Sequence, residues 1–175
     1  LISLLVTRVL CQQPMPRRSA KSQPRAAFAK PGRTPKPNRG TSKPTGYSGK
    51  LLAEKLGMKP GLRCAAIEAP DDYAALLGAS LPFDTSLEEE TYDLLHFFAP
   101  SALALEHALR VLEPRLATDG MLWVSWPKKS SGVATDLDEA VVRATGLATG
   151  LVDVKVCAVD ATWSALKFVR RLRDR

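Results

Sequence analysis

The run Tyr92-Asp93-Leu94-Leu95-His96-Phe97-Phe98 constrains this chain most. It is nearly continuous in apolar residues and does not alternate, so it reads as a strand buried on both faces. Such a strand needs cover from above and below, and a parallel sheet with crossover helices supplies it. The next segment fits that demand. Leu105, Leu109, Leu112 and Leu116 stand at i, i+4, i+7 and i+11, one apolar stripe of a helix, with Glu106, Arg110 and Glu113 as its solvated edge. Pro114 kinks its last turn. Asp119-Gly120 predicts a turn, and Met121-Leu122-Trp123-Val124-Ser125-Trp126 predicts the next strand. Thr135 is the expected cap of a further helix, with Asp136, Asp138 and Glu139 in its first turn and Gly146 at its end.

The same alternation extends in both directions. Upstream, Ser48 is the expected cap of a helix carrying Leu52 and Leu56, ended by Gly57 and Pro60. Arg63 to Ala69 reads as a short buried strand, and Asp71 or Asp72 caps a brief helix with Tyr73, Leu76 and Leu77, closed by Gly78. Residues 79–91 predict a short strand and an acidic loop at Glu88-Glu89-Glu90. Downstream, Val152, Val154, Val156 and Ala158 alternate with Asp153, Lys155 and Cys157, which predicts one buried and one mixed face. A turn at Asp160 to Trp163 then leads into a returning strand with Leu166, Phe168 and Val169. The fold expected is α/β: a small doubly wound, mostly parallel sheet ending in an antiparallel hairpin.

Charge divides the chain in two. Residues 1–50 hold 11 of the 25 Lys and Arg and none of the 18 Asp and Glu, so the net charge of +7 is the sum of a basic first fifty residues and a net −4 over the rest. From Pro14 to Thr45 the composition is Pro, Arg, Lys, Ser and Gly, with Phe28 as the only aromatic. Such a segment cannot bury enough surface to offset its ordering entropy. Residues 1–45 are therefore expected to be a disordered basic tail, and 46–175 a single domain. Arg17, Arg18, Lys21 and Arg25 are the candidates for non-specific contact with nucleic acid. The opening residue is Leu, which suggests a fragment or an upstream-extended frame with Met15 as start, so residues 1–14 are set apart from the fold. The first ten residues resemble a signal peptide only briefly, because Arg8 interrupts them, and they are too short to span a bilayer.

Cysteines at 11, 64 and 157 form no CxxC pair, and His96 and His107 stand alone as core or surface residues. This spacing suits neither zinc nor a disulfide framework and points to a reducing, cytoplasmic setting. No metal is expected, and no membrane partner.

Strand, helix, turn, strand, helix and hairpin over Tyr92 to Arg171 resemble the second half of class I methyltransferase-like Rossmann folds. The local signatures are similar to a family of small bacterial proteins known only as a domain of unknown function. They are Gly46-Tyr47-Ser48-Gly49 to Lys59-Pro60-Gly61, Gly120 to Lys129, and Asp153 to Asp160 with Trp163-Ser164. That resemblance covers residues 46–175 and implies a fold without an activity.

A methyltransferase needs a glycine-rich turn after the first strand, where the backbone approaches the cofactor. Here the turn is Ala69-Pro70-Asp71-Asp72-Tyr73, with no glycine and with one amide removed by Pro70. The expected function is accordingly a degenerate, non-enzymatic domain that uses no cofactor and binds an anionic small ligand or partner. The alternatives are an adenosylmethionine-dependent methyltransferase with an atypical site, and nucleic-acid association through the tail. The ligand candidates are Trp126, Lys128, Lys129, Ser130 and Ser131 after the third strand, Ser101 after the second, and Glu68 after the first. In an open parallel sheet these strand ends share one edge. Lysines, hydroxyls and a helix start together suit a phosphate or carboxylate.

Removing residues 1–45 is expected to leave the melting temperature within a few degrees. It should also abolish nucleic-acid binding, which in the full chain will weaken steeply with salt. Filter binding at two salt concentrations checks this, and binding retained by the shortened chain at physiological salt would refute it.

Overall fold

The computed structural model describes residues 49–174. The tail, Ser48 and the four basic nucleic-acid candidates lie outside the described residues. The first helix, Leu52–Leu56, is preceded by Leu51 at its cap position with no side-chain cap, so Ser48 does not cap it. Five strands form one sheet in the order β1-β2-β3-β5-β4. They are β1 Cys64–Ile67, β2 Tyr92–Phe98, β3 Leu116–Pro127, β4 Val152–Ala158 and β5 Trp163–Val169. The pairs β1/β2 and β2/β3 are parallel, whereas β3/β5 and β4/β5 are antiparallel. This is the α/β arrangement expected, a parallel start finished by an antiparallel hairpin.

Helices cover both faces. On one side lie α1 (Leu52–Leu56) and α2 (Tyr73–Leu77); on the other lie α3 (Ala102–Leu112) and α4 (Glu139–Ala148). Strand β2 supplies both cores, because its side chains alternate between them. Leu94 and Phe98 join the cluster under α1 and α2, while Leu95 and Phe97 join the cluster under α3 and α4. All four are at most 4% exposed, which accounts for the unbroken apolar run.

Several local expectations are corrected. The stripe ends at Leu112, because Pro114 ends α3 in a single 3-10 turn, Glu113–Arg115. Leu116 is instead the first residue of β3. Asp119-Gly120 does not turn the chain; it lies in an irregularity of β3. Two steps along β2, from Tyr92 to Leu94, face five along β3, from Leu116 to Met121. Glycine is required there, since a Cβ at 120 would lie 2.9 Å from the Ala117 carbonyl and 3.0 Å from that of Tyr92. Thr135 accepts from the Leu137 amide at 3.1 Å, but the cap of α4 is Asp138, whose Oδ1 accepts from the Val141 amide at 3.0 Å.

Two further corrections concern the hairpin side of the sheet. The valine face of β4 is not buried: Val154 is 55% and Val156 42% exposed. β4 is an edge strand and its register with β5 shifts between Asp153 and Lys155, so the alternation meets no continuous cover. Gly146 does not end α4. It lies buried within the helix, and the Phe168 ring of β5 occupies the space a side chain would need, 2.3 Å from an ideal Cβ.

That contact generates a prediction. Gly146→Ala gains about 1 kcal/mol in intrinsic helix propensity, yet an aromatic ring packed in the core cannot withdraw by a full ångström. Net destabilisation of about 1–3 kcal/mol is expected, read as a lower urea midpoint at unchanged slope. A midpoint that rises would show that β5 can repack.

Candidate functional site

Because β1, β2 and β3 are parallel, their carboxyl ends open on one edge of the sheet. The register aligns Ile67, Phe97 and Val124 in one row. Glu68 lies one residue beyond that row, while Ser101 and Lys128 lie four residues beyond it, just after the next two strands. The β4–β5 turn reaches the same edge, since Pro127 pairs with Trp163. The topology thus brings the expected ligand candidates to one border.

Their individual settings differ. Glu68 is exposed and adopts φ 56°, the only non-glycine residue with positive φ among those described. Such a conformation costs of order 1 kcal/mol or more and tends to occur where a loop is held for use. Asp71 and Asp72 follow it, both exposed. Trp126 is 5% exposed and belongs to the core under α3 and α4, so it lines no opening. Trp123 faces the other core, donating from Nε1 to the Leu56 carbonyl at 2.9 Å.

The loop after β3 is a 3-10 turn, Lys129–Ser131, closed by Gly132 in the left-handed region. Lys128 belongs to the hairpin more than to the solvent. Its amide donates to the Thr162 carbonyl at 2.7 Å and its Nζ to the Asp160 carbonyl at 2.5 Å. Ser131 donates to the Lys128 carbonyl at 2.7 Å and holds the turn. Lys129 projects outward with its side chain 83% exposed, 3.6 Å from Asp138. Ser130 is exposed beside it.

The helix starts on this edge are already occupied. Ser101 caps α3 by accepting from the Ala104 amide at 3.3 Å, and Asp136 Oδ1, from the next loop, accepts from the Ala102 amide at 2.9 Å. Asp138 does the same for α4, and this amide contact, followed by Lys129, holds its carboxyl below the usual range. The chain's own oxygens therefore fill positions where a bound phosphate would sit. Carboxylates prevail at the border, with Glu68, Asp71 and Asp72 on one flank and Lys129 on the other. A shallow depression of about 410 Å3 exists, but it is lined by α2 and the loop after it, including Ala75, Gly78 and Phe83, and not by these loops.

The structure also assembles a set that the residue spacing does not reveal. His96, fully buried, lies 2.8 Å through Nδ1 from the Tyr73 hydroxyl and 2.7 Å through Nε2 from the Ser125 hydroxyl. Burial depresses the imidazole to about 3, so it is neutral. Burial chiefly, then the Cys64 and Cys157 thiols, raises the Tyr73 phenol, which keeps its proton. Nδ1 is a better acceptor than the other available to Tyr73, the Met58 sulfur at 3.9 Å. Tyr73 therefore donates to Nδ1, and Nε2–H donates to Ser125. The order superficially matches a nucleophile–base–orienter chain, but Ser125 is 0% exposed and meets no substrate. The set is a satisfied polar core. Its one sequence signal was a histidine inside a buried strand, which must find partners.

Among the described residues no helix is long and apolar enough to cross a membrane, and no group of three or more His, Cys, Asp or Glu has a metal-holding arrangement. The chain matches no protein-family model and no curated protein. It is similar to several solved structures. A ribosomal protein methylase from Lactobacillus delbrueckii subsp. bulgaricus shares 11% identity over 69% of this chain and 76% of its own, with a TM-score of 0.44. TrmN from Thermus thermophilus shares 12% identity over 69% of this chain, with a TM-score of 0.49, and the match spans 47% of its length. Magnesium protoporphyrin IX methyltransferase from Synechocystis PCC 6803, solved with bound SAH, shares 14% identity over 69% of this chain and 80% of its own, with a TM-score of 0.47. At such identities the likeness is one of fold alone.

Proposed function

We propose that this domain is a binding module on a methyltransferase-like scaffold and transfers no methyl group. Its ligand is a zwitterionic or singly anionic small molecule, or a partner group of that charge, held at the carboxyl edge of β1 to β3. The observation that carries the ligand's charge is the occupation of the helix starts, whereas the absence of methyl transfer rests on the turn after β1, which holds no glycine. Asp136 takes the Ala102 amide and Asp138 the Val141 amide, so the donors suited to a nucleotide's phosphates are already bonded. Pro70 removes another donor from the turn after β1. What remains exposed is polarised, with acids at Glu68 to Asp72 and the Lys129 ammonium with Ser130 across from them. An ammonium suits the first flank and a carboxylate the second, whereas a polyphosphate meets repulsion.

The charge division of the chain favours a second reading, association with nucleic acid through its first fifty residues, with 11 cations and no carboxylate. The two readings concern different segments and are compatible.

The lysines separate structure from binding. Lys128→Ala is expected to cost about 1 kcal/mol by removing its bond to the Asp160 carbonyl, and Lys129→Ala no more than about 0.5 kcal/mol. Urea titrations of the two variants check the order. A thermal-shift screen of anionic and zwitterionic metabolites against wild type and Lys129→Ala then tests the site. Any stabilising compound is expected to bind the variant about tenfold more weakly, the worth of one charge-assisted contact. Equal stabilisation of both proteins would place the site elsewhere. Saturable, stoichiometric heat on adding adenosylmethionine at millimolar concentration would overturn the non-enzymatic reading.

A further inference from the structure

Burying a histidine on a central strand needs a cover, and here the cover is small. α2 is five residues long, carries no side-chain cap at Asp72 and ends at Gly78 in the left-handed region. Its first residue, Tyr73, is 2% exposed and lies edge-on to His96 at 5.3 Å, to Phe98 at 5.4 Å and to Phe83 at 5.3 Å. The loop behind it is fastened to the outer edge of β1 by two backbone bonds of 2.8 Å, Ala66 to the Asp84 carbonyl and Asp84 to the Cys64 carbonyl. The partner on the other side, Ser125, belongs to β3, which is paired on both edges. Of the two groups bonded to His96, only Tyr73 can leave without dismantling the sheet.

We propose that the Tyr73–His96–Ser125 chain is an acid-sensitive latch: protonation of His96 releases α2 and residues 68–83 locally, while the sheet and the helices on its far side stay folded. An imidazolium is a donor at both nitrogens, so the Tyr73 proton must leave Nδ1 and turn to the Met58 sulfur, a weak acceptor. Among the described residues the charge also finds no carboxylate to pair with. The titratable and charged groups packed on this face are Tyr73 on α2, Cys64 on β1, Lys55 on α1, and Lys155 and Cys157 on β4, with Lys128 nearby. Asp84 and Asp93 act on Cys64, but on His96 burial is the cause. A buried unpaired charge is costly, and lifting the five-residue helix above it lets water in at the cost of exposing Tyr73 and Leu77 but without breaking the sheet. The released segment includes Glu68 to Asp72, so the latch also governs the acidic flank of the carboxyl edge, whether or not that edge binds a ligand.

The sign follows from linkage. The imidazole is depressed in the closed state and recovers its ordinary value near 6.5 once open, so the open state binds the proton more tightly. Closure is at full strength above about pH 6.5 and weakens as the pH falls toward the closed-state value of about 3. From pH 7 to about pH 5 the open population should rise about twentyfold.

Hydrogen exchange of the full-length protein, read by mass spectrometry and corrected for intrinsic rates, tests this. Peptides over residues 68–83 are expected to lose about twentyfold in protection between pH 7 and about pH 5, while peptides over 122–126 and 165–168 hold theirs. His96→Gln, whose amide can both accept and donate but does not titrate, should abolish the pH response. Equal loss in the β3 and β5 peptides would mean global unfolding and overturn the latch, as would an undiminished response in His96→Gln. If that variant does not fold, Tyr73→Phe decides: it should raise exchange over residues 68–83 at pH 7 and leave β3 and β5 unchanged. Unaltered exchange there would refute the proposal.

Discussion

Strand β2 has no solvent face, and the rest of the domain answers to that. Its side chains enter both cores, Leu94 and Phe98 on one side and Leu95 and Phe97 on the other. A strand buried in this way contributes apolar surface twice, roughly 25 cal/mol for each Å2 removed from water. The return requires helices above and below. The crossover through α3 keeps β3 parallel to β2, and a second crossover through α4 carries the chain past one strand position to β4, from which the hairpin returns β5 into the gap beside β3. On the other side β1 is left as the outermost strand, covered by the smallest helices and by the bridge from Asp84. Cover is thick over β3 and β5 and thin over β1.

This gradient explains which features could be read directly from the residues. β2 itself was legible to the residue, because seven consecutive positions carried one message. The helix of Leu105, Leu109 and Leu112 was legible too, and so were α1 and α2 with their closing glycines. Errors arose where two local rules conflicted. Leu116 continues a helical period, yet Pro114 two residues earlier ends the helix, and the proline prevailed. Asp119-Gly120 has turn chemistry, but the β2 pairing runs past it, so its conformational freedom is used as an irregularity within β3. Gly146 resembles a helix stop and is in fact a cavity for Phe168, a contact 22 residues away that no local rule can report.

The candidate site was legible in position and not in detail. Parallel topology alone places Glu68, Ser101 and the loop after Trp126 on one edge, and the structure has them there. What residue types could not reveal is how each side chain is spent. Lys128 is committed to the Asp160 carbonyl and Trp126 to the core, which leaves Lys129 as the exposed cation of that loop. Asp136 likewise looked like part of a first turn and instead reaches across to cap α3. Assignments of this kind depend on loops meeting in space and leave no trace in spacing.

The same economy ties the two ends of the argument together. A parallel sheet leaves helix starts and strand ends on one border, where unpaired amides attract anions. In this chain Ser101, Asp136 and Asp138 satisfy those amides internally, so the border has exchanged its general attraction for phosphate for rigidity and a mixed surface charge. α3 and α4 are both capped by side chains, whereas at α2 Asp72 makes no such bond and the helix is held by Tyr73 and Leu77, its two buried residues. The flank carrying Glu68, Asp71 and Asp72 is therefore attached through the helix seated on His96, opposite a flank held beside the side-chain caps of α3 and α4. A ligand bridging the two flanks would draw together a fixed wall and a movable one, and its binding would report directly on whether Tyr73 is seated against His96.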